Sequence, residues 1–363
     1  MSNAQPQVIS LFNHKGGVSK TTTTFNLGWM LASKGNRVIL VDADPQCNLT
    51  GMVLDYRGPT ALEEFYTTEK DRNIMAGLAP AFESRPKALE GIDCVPIGGQ
   101  QGLYLLPGHI RLAEYEVTLG IAHDLSASIQ TLKNLPGAPA YFLRKTAEKK
   151  EARYVLVDMS PSLSSINQNL LMTSNFFIIP TSPDYFSVMA INSLAAVLPR
   201  WHRWAAKAGT LPLFRDADYP FPQTTPKLLG TIIQKYRPRG GGPAVAFQKW
   251  IDDINRTVSA NLLPILTQEE MMLRDKTYRD AGISDNLCLS TISDFNSLIA
   301  LSQSKQTPIF DLGNYPLTSS KYYGISLGNY PPMSSATFRV QMGIRPCGSC
   351  VFGSLIGMPM SAE

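Results

Sequence analysis

The stretch His14–Thr24, HKGGVSKTTTT, carries two lysines around a pair of glycines and is the most informative part of the sequence for the fold. An apolar run, Val8–Asn13, precedes it, and the segment from Lys20 has the pattern of a helix that Gly35 would end. The next apolar run, RVILVDADPQ, ends in two carboxylates. This order predicts a βαβ unit whose two strands are parallel neighbours. The glycine loop then lies at the carboxyl edge of a sheet and at a helix N-terminus, where anions bind favourably.

The residue types in this loop fit the chemistry of a bound nucleotide. Gly16 and Gly17 let the backbone approach a pyrophosphate closely. Lys20 is placed to reach the β- and γ-phosphates, and the Thr21 hydroxyl to ligate Mg²⁺. Asp44, at the end of the next strand, is placed to orient or deprotonate a water. A glycine-rich turn without a ligand is the alternative, and the strand–loop–helix context favours ATP with Mg²⁺ over it.

KGGVSKTT resembles the deviant Walker A motif of the ParA/MinD family of P-loop ATPases, and VDADPQCNLT resembles that family's next strand. The resemblance implies a nucleotide-sandwich homodimer in the ATP state, in which Lys15 reaches the partner's phosphates and Lys20 serves its own nucleotide. Lys15, Lys20 and Asp44 are then the predicted catalytic residues. A solvated loop lysine is the alternative for Lys15. The predicted nucleotide contacts in the loop are Lys15, Gly16, Gly17, Val18, Ser19, Lys20, Thr21 and Thr22.

Ser19 departs from the family pattern, which most often has glycine at this position. A Cβ beside Lys20 would demand a different backbone angle, at a cost on the order of 1 kcal/mol. We expect nucleotide binding to persist and the rate of hydrolysis to be affected more.

The segment YVLVDMSPSLS, Tyr154–Ser164, predicts a buried strand that ends in Asp158 and a turn. It resembles the family's Walker B and switch II segments, where the aspartate holds Mg²⁺ through water. A helix-capping aspartate is the alternative. Thr21, Asp42 and Asp158 are the predicted metal-binding residues.

A later strand, LLGTIIQKY, is predicted to end near Gln234. In the family the following loop holds the adenine, which implies Gln234 and Tyr236 as contacts, although the family's asparagine is absent. The segments Ile92–Ile97 and Leu103–Gly108 predict two short strands, and Thr60–Glu63 predicts a capping box that opens a helix.

The resemblance spans Val8–Leu312, and Ile292–Leu312 resembles the family's closing helix. We therefore expect one P-loop ATPase domain over residues 1–312 and an irregular or disordered tail over residues 313–363, where LGNYP occurs twice. Cys347 and Cys350 have the spacing of a metal-binding pair but lack a second pair, so no role is assigned to them.

Six basic residues fall within two neighbouring elements, close to Trp201, Trp204 and Tyr236. Members of the ParA family coat DNA nonspecifically through basic surfaces, which implies a DNA-binding role. The alternative is an amphipathic helix whose tryptophans pack inward and whose arginines are solvated. The predicted DNA-binding residues are Arg200, Arg203, Lys207, Lys235, Arg237 and Arg239.

Composition narrows the class of protein. The chain has 363 residues, 33 basic and 29 acidic, and a net charge of +4, which is too mild to identify a nucleic-acid-binding protein by itself. The first residues lack the pattern of a signal peptide, and no apolar run is long enough to span a membrane. Five scattered cysteines do not form a disulfide framework and fit a reducing compartment. A cytoplasmic protein is expected, associated with the nucleoid if it binds DNA.

The expected fold is a three-layer α/β domain, with a mostly parallel sheet flanked by helices. The expected function is slow ATP hydrolysis, timed by dimerisation, that segregates or positions DNA or another cargo with the help of an unidentified adaptor. A membrane-associated MinD-like ATPase would need a basic amphipathic helix after Lys321, which is not evident. A metabolic enzyme on the same fold is the second alternative, and an iron–sulfur reductase would need more cysteines than Cys94 near the strand ends.

Overall fold

A computed structural model describes residues 5–54, 60–124, 130–239, 242–295, 297–305, 307–309 and 312. An eight-stranded sheet, mostly parallel, forms the middle layer of a three-layer α/β fold, as expected from the sequence. Its strand order is β10-β7-β6-β1-β5-β2-β4-β3, and only the pairing of β3 with β4 is antiparallel. A separate two-residue hairpin pairs β8 with β9.

The strands at the centre of the sheet are short and almost continuously apolar, as is typical of strands covered on both faces. The bounds of all described strands are β1 (Gln7–Leu11), β2 (Val38–Ala43), β3 (Val95–Pro96), β4 (Leu103–Leu106), β5 (Tyr154–Met159), β6 (Phe176–Thr181), β7 (Lys227–Tyr236), β8 (Pro238–Arg239), β9 (Gly242–Pro243) and β10 (Cys288–Ser293).

Helices cover the sheet, and none of the described ones is both long and apolar enough to cross a membrane. The N-terminal half contains α1 (Lys20–Ser33), α2 (Asn48–Leu54), α3 (Ala61–Thr68), α4 (Ile74–Phe82), α5 (Ala113–Asp124), α6 (Ala138–Lys150) and α7 (Ser165–Met172). The C-terminal half contains α8 (Tyr185–Thr210), α9 (Pro212–Arg215), α10 (Val245–Thr257), α11 (Leu263–Gln268), α12 (Asp275–Asp280) and α13 (Ser297–Lys305).

The central strands correct one prediction, because β1 and β2 are parallel but are not neighbours. Strand β5 lies between them and pairs with both, so that Asp158 stands opposite Leu11 on one side and Asp42 on the other. The crossover from β1 to β2 leaves room for one strand between them. That position is occupied by β5, which is buried along its whole length. The arrangement brings the end of β5 directly beside the phosphate loop.

Helix α1 packs closely on β2 at Gly28. A Cβ at Gly28 would stand 2.3 Å from Leu40 Cδ2, so a larger residue would force the Leu40 side chain to move. Phe25 and Trp29 fill the neighbouring positions of the same helix, with ring centroids 5.6 Å apart. This close packing fixes the helix whose N-terminus faces the candidate site.

Two local predictions need correction. The strand expected at Ile92–Ile97 is only two residues long, since only Val95 and Pro96 pair with β4. The capping box at Thr60 does not form, because the Thr60 hydroxyl donates to the Glu64 carboxylate and accepts no backbone N–H. The helix that follows Thr60 forms as expected.

The predicted closing helix at Ile292–Leu312 is also wrong at its start. Ile292 belongs to β10, the strand at one edge of the sheet, and the helix begins only at Ser297. A segment rich in serine and threonine carries no clear strand pattern, yet it pairs in parallel with β7. The predicted tail at residues 313–363, with Cys347 and Cys350, lies outside the described residues.

Candidate nucleotide site

The loop between β1 and α1 has the backbone shape of a phosphate cradle. Gly17 adopts a φ of 72°, and a Cβ there would meet nothing within 4 Å, so the space over the loop is open. Ser19 adopts the left-handed conformation, with φ 58° and ψ 33°, as the N-cap of α1. This conformation favours glycine, so serine carries a backbone cost at this position.

Lys20 stands inside the loop and is almost fully buried. Its ammonium donates to the Asn13 carbonyl at 2.9 Å and to the Lys15 carbonyl at 3.3 Å, both in the same loop. Burial lowers the pKa of Lys20, while the nearby carboxylates of Asp158 and Asp44 oppose that shift. The ammonium is therefore buried, and its hydrogen-bond acceptors among the described residues are backbone carbonyls. It lies where phosphate oxygens are expected.

Asp158 is an acidic residue buried in the same site, and its carboxyl group has no hydrogen-bond partner among the described residues. Both oxygens are buried, and the side chain is 1% exposed. Burial raises the pKa of Asp158 to about 8, and the neighbouring Asp42 adds to the rise. The Thr21 hydroxyl lies near enough to offset part of this effect but not in hydrogen-bonding geometry.

Asp42 has a different environment although it lies opposite Asp158. Its Oδ2 accepts from the backbone N–H and the hydroxyl of Thr50, both at 2.7 Å, and its Oδ1 accepts from Asp44 N at 3.2 Å. Burial raises the pKa of Asp42 to about 6, and the hydrogen bonds from Thr50 moderate the rise. Asp44 is buried too, and its Oδ1 accepts from Gln46 N at 2.9 Å.

These residues fit a magnesium ion that is held together with phosphates. Among the residues that the structure describes, no group of three or more His, Cys, Asp or Glu side chains is placed to hold a metal alone. Mg²⁺ commonly takes only one or two protein oxygens and completes its coordination with water and substrate phosphate. The unpartnered oxygens of Asp158, with the hydroxyl of Thr21 nearby, supply such a set.

Lys15 has partners that the sequence did not reveal. Its Nζ donates to Ser182 Oγ at 2.8 Å, to Ser187 Oγ at 3.0 Å and to the carboxylate of Asp184. All three acceptors belong to the loop after β6 and the first turn of α8. Asp184 is the N-cap of a long helix that follows a strand, and this pattern is the one signal in the sequence that could have identified it.

The end of β7 contacts the phosphate loop and the start of α1. Gln234 is buried and donates from Nε2 to Thr23 Oγ1, so its amide nitrogen is bonded to α1. Lys235, with a φ of 66°, donates from Nζ to the Gly17 carbonyl at 2.8 Å. Tyr236 is half-buried at the same edge. Both predicted adenine contacts thus lie at the edge of the sheet that carries the phosphate loop, Gln234 buried and Tyr236 partly exposed.

The six predicted DNA-binding residues do not form one surface. Arg203 lies roughly 28 Å along α8 from Asp184, near Glu269 Oε1 at 3.9 Å, at the end of the sheet where β7 begins. Lys235 lies at the other end, against the phosphate loop. The exposed basic residues are therefore divided into an α8 group (Arg200, Arg203 and Lys207) and a β7 group (Lys235, Arg237 and Arg239).

The tryptophans of α8 pack inward, as the alternative interpretation had it. Trp201 is buried against Phe12, with ring centroids 5.5 Å apart. Trp204 donates from Nε1 to the His123 carbonyl at 3.2 Å, and its ring lies 3.9 Å from that of His123. These rings contribute to the core and not to a nucleic-acid surface.

Exposed apolar side chains surround the carboxyl edge of the sheet. Tyr185, Phe186 and Met189 lie at the start of α8 and are each at least half exposed. Leu163 follows β5, and Ile110 follows β4. An apolar border around an open phosphate loop is typical of a surface that a partner covers.

A parallel sheet with an open glycine loop, a buried lysine and an unpartnered aspartate defines a P-loop nucleotide-binding protein. Residues 6–205 match the family model AAA_31, described as an AAA domain, and the chain belongs to this family. Within it, the chain is of the ParA type in the ParA/MinD group of P-loop ATPases, as the sequence resemblance indicated.

The relatives support this assignment over about half of the chain. The chain is 32% identical over 206 residues to the chromosome partitioning protein ParA of Caulobacter vibrioides, covering 55% of this chain and 65% of that protein. It is 29% identical over 188 residues to the sporulation initiation inhibitor protein Soj of Bacillus subtilis, covering 52% and 63%. The matches thus span less than two thirds of these relatives.

The likeness to a solved structure covers more of this chain than the sequence matches to the relatives do. A solved structure of a Cyanothece McdA variant in complex with ATP matches with a TM-score of 0.57 at 15% identity, covering 99% of this chain and 100% of that one. At this identity the likeness is one of fold.

Proposed function

We propose that this protein is an ATP-dependent switch that dimerises with ATP bound, hydrolyses it slowly and so segregates or positions DNA. The observation that supports this most is the buried pair of ionisable groups at the phosphate loop, the basic Lys20 and the acidic Asp158, neither of which hydrogen-bonds to a side chain in the described part of the protein. A triphosphate and Mg²⁺ would satisfy both. Bound Mg²⁺ would neutralise the phosphate charge and help to orient the γ-phosphate.

Each residue of the site would have a separate role. Lys20 and the backbone N–H groups of the loop would bind the phosphates, and Asp158 and Thr21 would hold Mg²⁺, with Asp42 behind them. Asp44 would orient the attacking water, since a carboxylate is repelled by the γ-oxygens and does not serve to bind them.

Dimerisation is the second part of the proposal. Gly16 and Gly17 are exposed, so a nucleotide in a single subunit would be open to water. A second copy placed on this edge would cover the apolar side chains Tyr185 and Phe186 and bring its own Lys15 to the phosphates. Closure of a site against water strengthens the electrostatic interactions inside it.

Two variants test the cycle when light scattering and phosphate release are followed after adding ATP. We expect Lys15→Ala to bind ATP but to form no productive dimer and to lose hydrolysis. We expect Asp44→Ala to bind ATP, dimerise and remain dimeric, because the step that ends the ATP state is removed. If Lys15→Ala hydrolyses ATP normally, or Asp44→Ala returns to monomer as fast as the unaltered protein, a monomeric nucleotide enzyme is the better interpretation.

The partner of the ATP-bound dimer is proposed to be arbitrary duplex DNA, and the split of the basic residues sharpens the test. Reversal of Arg200, Arg203 and Lys207 to Glu tests the α8 group, and reversal of Lys235, Arg237 and Arg239 tests the β7 group. The group that faces DNA should, when reversed, weaken binding and reduce its salt dependence by about one unit of slope for each phosphate that the variant no longer neutralises. ATP binding must survive in the α8 variant, since those residues are far from the phosphate loop.

If both triple variants bind DNA as the unaltered protein does, neither group faces DNA, and the cargo is of another kind. The adaptor that stimulates hydrolysis belongs to the same proposal, as does association with the nucleoid. Residues 1–312 are proposed to form the ATPase domain that performs this cycle.

A further inference from the structure

The ammonium of Lys15 is fully occupied within its own subunit. A lysine has three N–H donors, and Lys15 directs them to Ser182 Oγ, Ser187 Oγ and the Asp184 carboxylate. The side chain is only 18% exposed. A lysine held in this way differs from a loop lysine that extends into solvent, which is the form that a contact with a second subunit would need.

Asp184 is built into this arrangement by its place in the fold. As the N-cap of α8 it accepts from Ser187 N at 2.9 Å through Oδ1, which leaves Oδ2 for Lys15 and for the Ser182 hydroxyl at 3.1 Å. Partial burial works to raise the pKa of Asp184, but the hydrogen bonds from Lys15 and Ser187 lower it on balance. The carboxylate is therefore charged at neutral pH and attracts the ammonium.

We propose that Asp184 is a positioning residue that holds Lys15 inside its own subunit and thereby opposes assembly of two subunits. The inference rests on the proposed function, in which Lys15 must reach a partner's phosphates. Lys15 cannot donate to those phosphates while its three donors are filled, so assembly has to break the Lys15–Asp184 ion pair in each subunit. A restraint in the free subunit that is absent from the dimer shifts the equilibrium towards the monomer.

The first test measures Lys15 in the nucleotide-free protein and does not depend on dimerisation. Asp184→Asn keeps an oxygen for the Ser187 N–H, and so keeps the helix cap, but removes the charge. Labelling by an amine-reactive ester, followed by mass spectrometry, should modify Lys15 about three-fold faster in Asp184→Asn than in the unaltered protein. Asp184→Glu, which keeps the charge, should restore part of the protection.

The second test measures assembly by sedimentation with ATP. Two ion pairs are broken for each dimer, so Asp184→Asn should dimerise at about ten-fold lower protein concentration, while its ATP affinity as a monomer is unchanged. Asp216→Asn is the matched control, because Asp216 is an exposed aspartate paired with Arg215 at the surface far from the loop. It should change neither measurement.

The outcomes separate this inference from the proposed function. Equal labelling of Lys15 in Asp184→Asn and the unaltered protein would overturn it, and so would weaker or unchanged dimerisation of Asp184→Asn, which would mean that Asp184 supports the assembled state or has no effect on it. If the unaltered protein does not dimerise with ATP at all, the proposed function fails, and the labelling experiment still decides whether Asp184 holds Lys15.

Discussion

Ionisable side chains at the two ends of the sheet are in opposite circumstances. At the carboxyl edge, Lys20 and Asp158 are buried; the first bonds only to carbonyls, and the second has no hydrogen-bond partner among the described residues. At the other end, on α8, Arg203 is exposed and only loosely paired with Glu269. At the same end, the indole N–H of Trp204 is hydrogen-bonded to the His123 carbonyl.

The contrast shows which charges identify a ligand. A buried charge without a partner destabilises the folded protein unless a ligand compensates it, so its presence indicates one. A solvated arginine contributes little to stability whether or not a partner binds. Its presence therefore does not indicate that a ligand binds there. The nucleotide site is therefore better supported than the DNA-binding surface, and four experiments test this contrast.

The largest effect is expected at Lys20. Lys20→Ala removes the buried charge that the phosphates would meet, and we expect ATP affinity to fall on the order of 100-fold. Titration calorimetry with Mg·ATP measures this directly. Lys34→Ala, at the exposed end of α1, is the control and should bind as the unaltered protein does. Unchanged affinity in Lys20→Ala would remove the basis of the nucleotide site.

Next in size is the contrast between the two buried aspartates. Without nucleotide or Mg²⁺, and above the raised pKa of Asp158 of about 8, Asp158→Asn should raise the free energy of unfolding by about 2 kcal/mol, since an unpartnered charge is removed. Asp42→Asn should lower it by a similar amount, because an amide has one oxygen for the donors from Thr50 and Asp44. Urea unfolding measures both. A change of the same sign in the two variants would contradict the assigned environments.

A smaller effect concerns His123, beside Trp204 at the other end of the sheet. Burial lowers the pKa of His123 from 6.5 to about 3, so the folded protein holds it neutral. Its contribution to stability is complete above pH 6.5 and is lost as pH falls towards 3, by about 1.4 kcal/mol per pH unit. The difference in the free energy of unfolding between the unaltered protein and His123→Gln should shrink by this amount for each pH unit as the pH is lowered. His202→Gln, a partly exposed histidine paired with Glu269, is the control; parallel curves for His123→Gln would refute the prediction.

The smallest effect is expected at Ser19. Its φ of 58° is costly for serine and not for glycine, so Ser19→Gly should stabilise the nucleotide-free protein by about 1 kcal/mol. Ser33→Gly, within the same helix, should destabilise it instead, because glycine is unfavourable in a helix. Thermal unfolding distinguishes the two. A loss of stability in Ser19→Gly would mean that the serine side chain stabilises the turn.

Local patterns were sufficient for the loop, its helix and the strands that end in Asp44 and Asp158, because apolar runs and glycine positions depend on neighbouring residues. They were insufficient for the place of β5 and for the partners of Lys15. Those contacts join positions far apart in the chain, such as Lys15 and Asp184, which are 169 residues apart, and no short-range pattern encodes them. The strand β10 was missed for a related reason, since its serine and threonine residues are polar and only its pairing with β7 makes it a strand.

The strand order also has a consequence for synthesis on the ribosome. β1 emerges first, but both of its neighbours, β5 and β6, are translated more than 140 residues later. At typical rates of synthesis the first strand therefore waits roughly 10 to 30 s without the partners on either side. Throughout that interval the nascent chain has an apolar strand with two free edges and a loop that no neighbouring strand supports. A chaperone that binds short apolar segments would find β1 accessible throughout this interval, before either neighbouring strand is made.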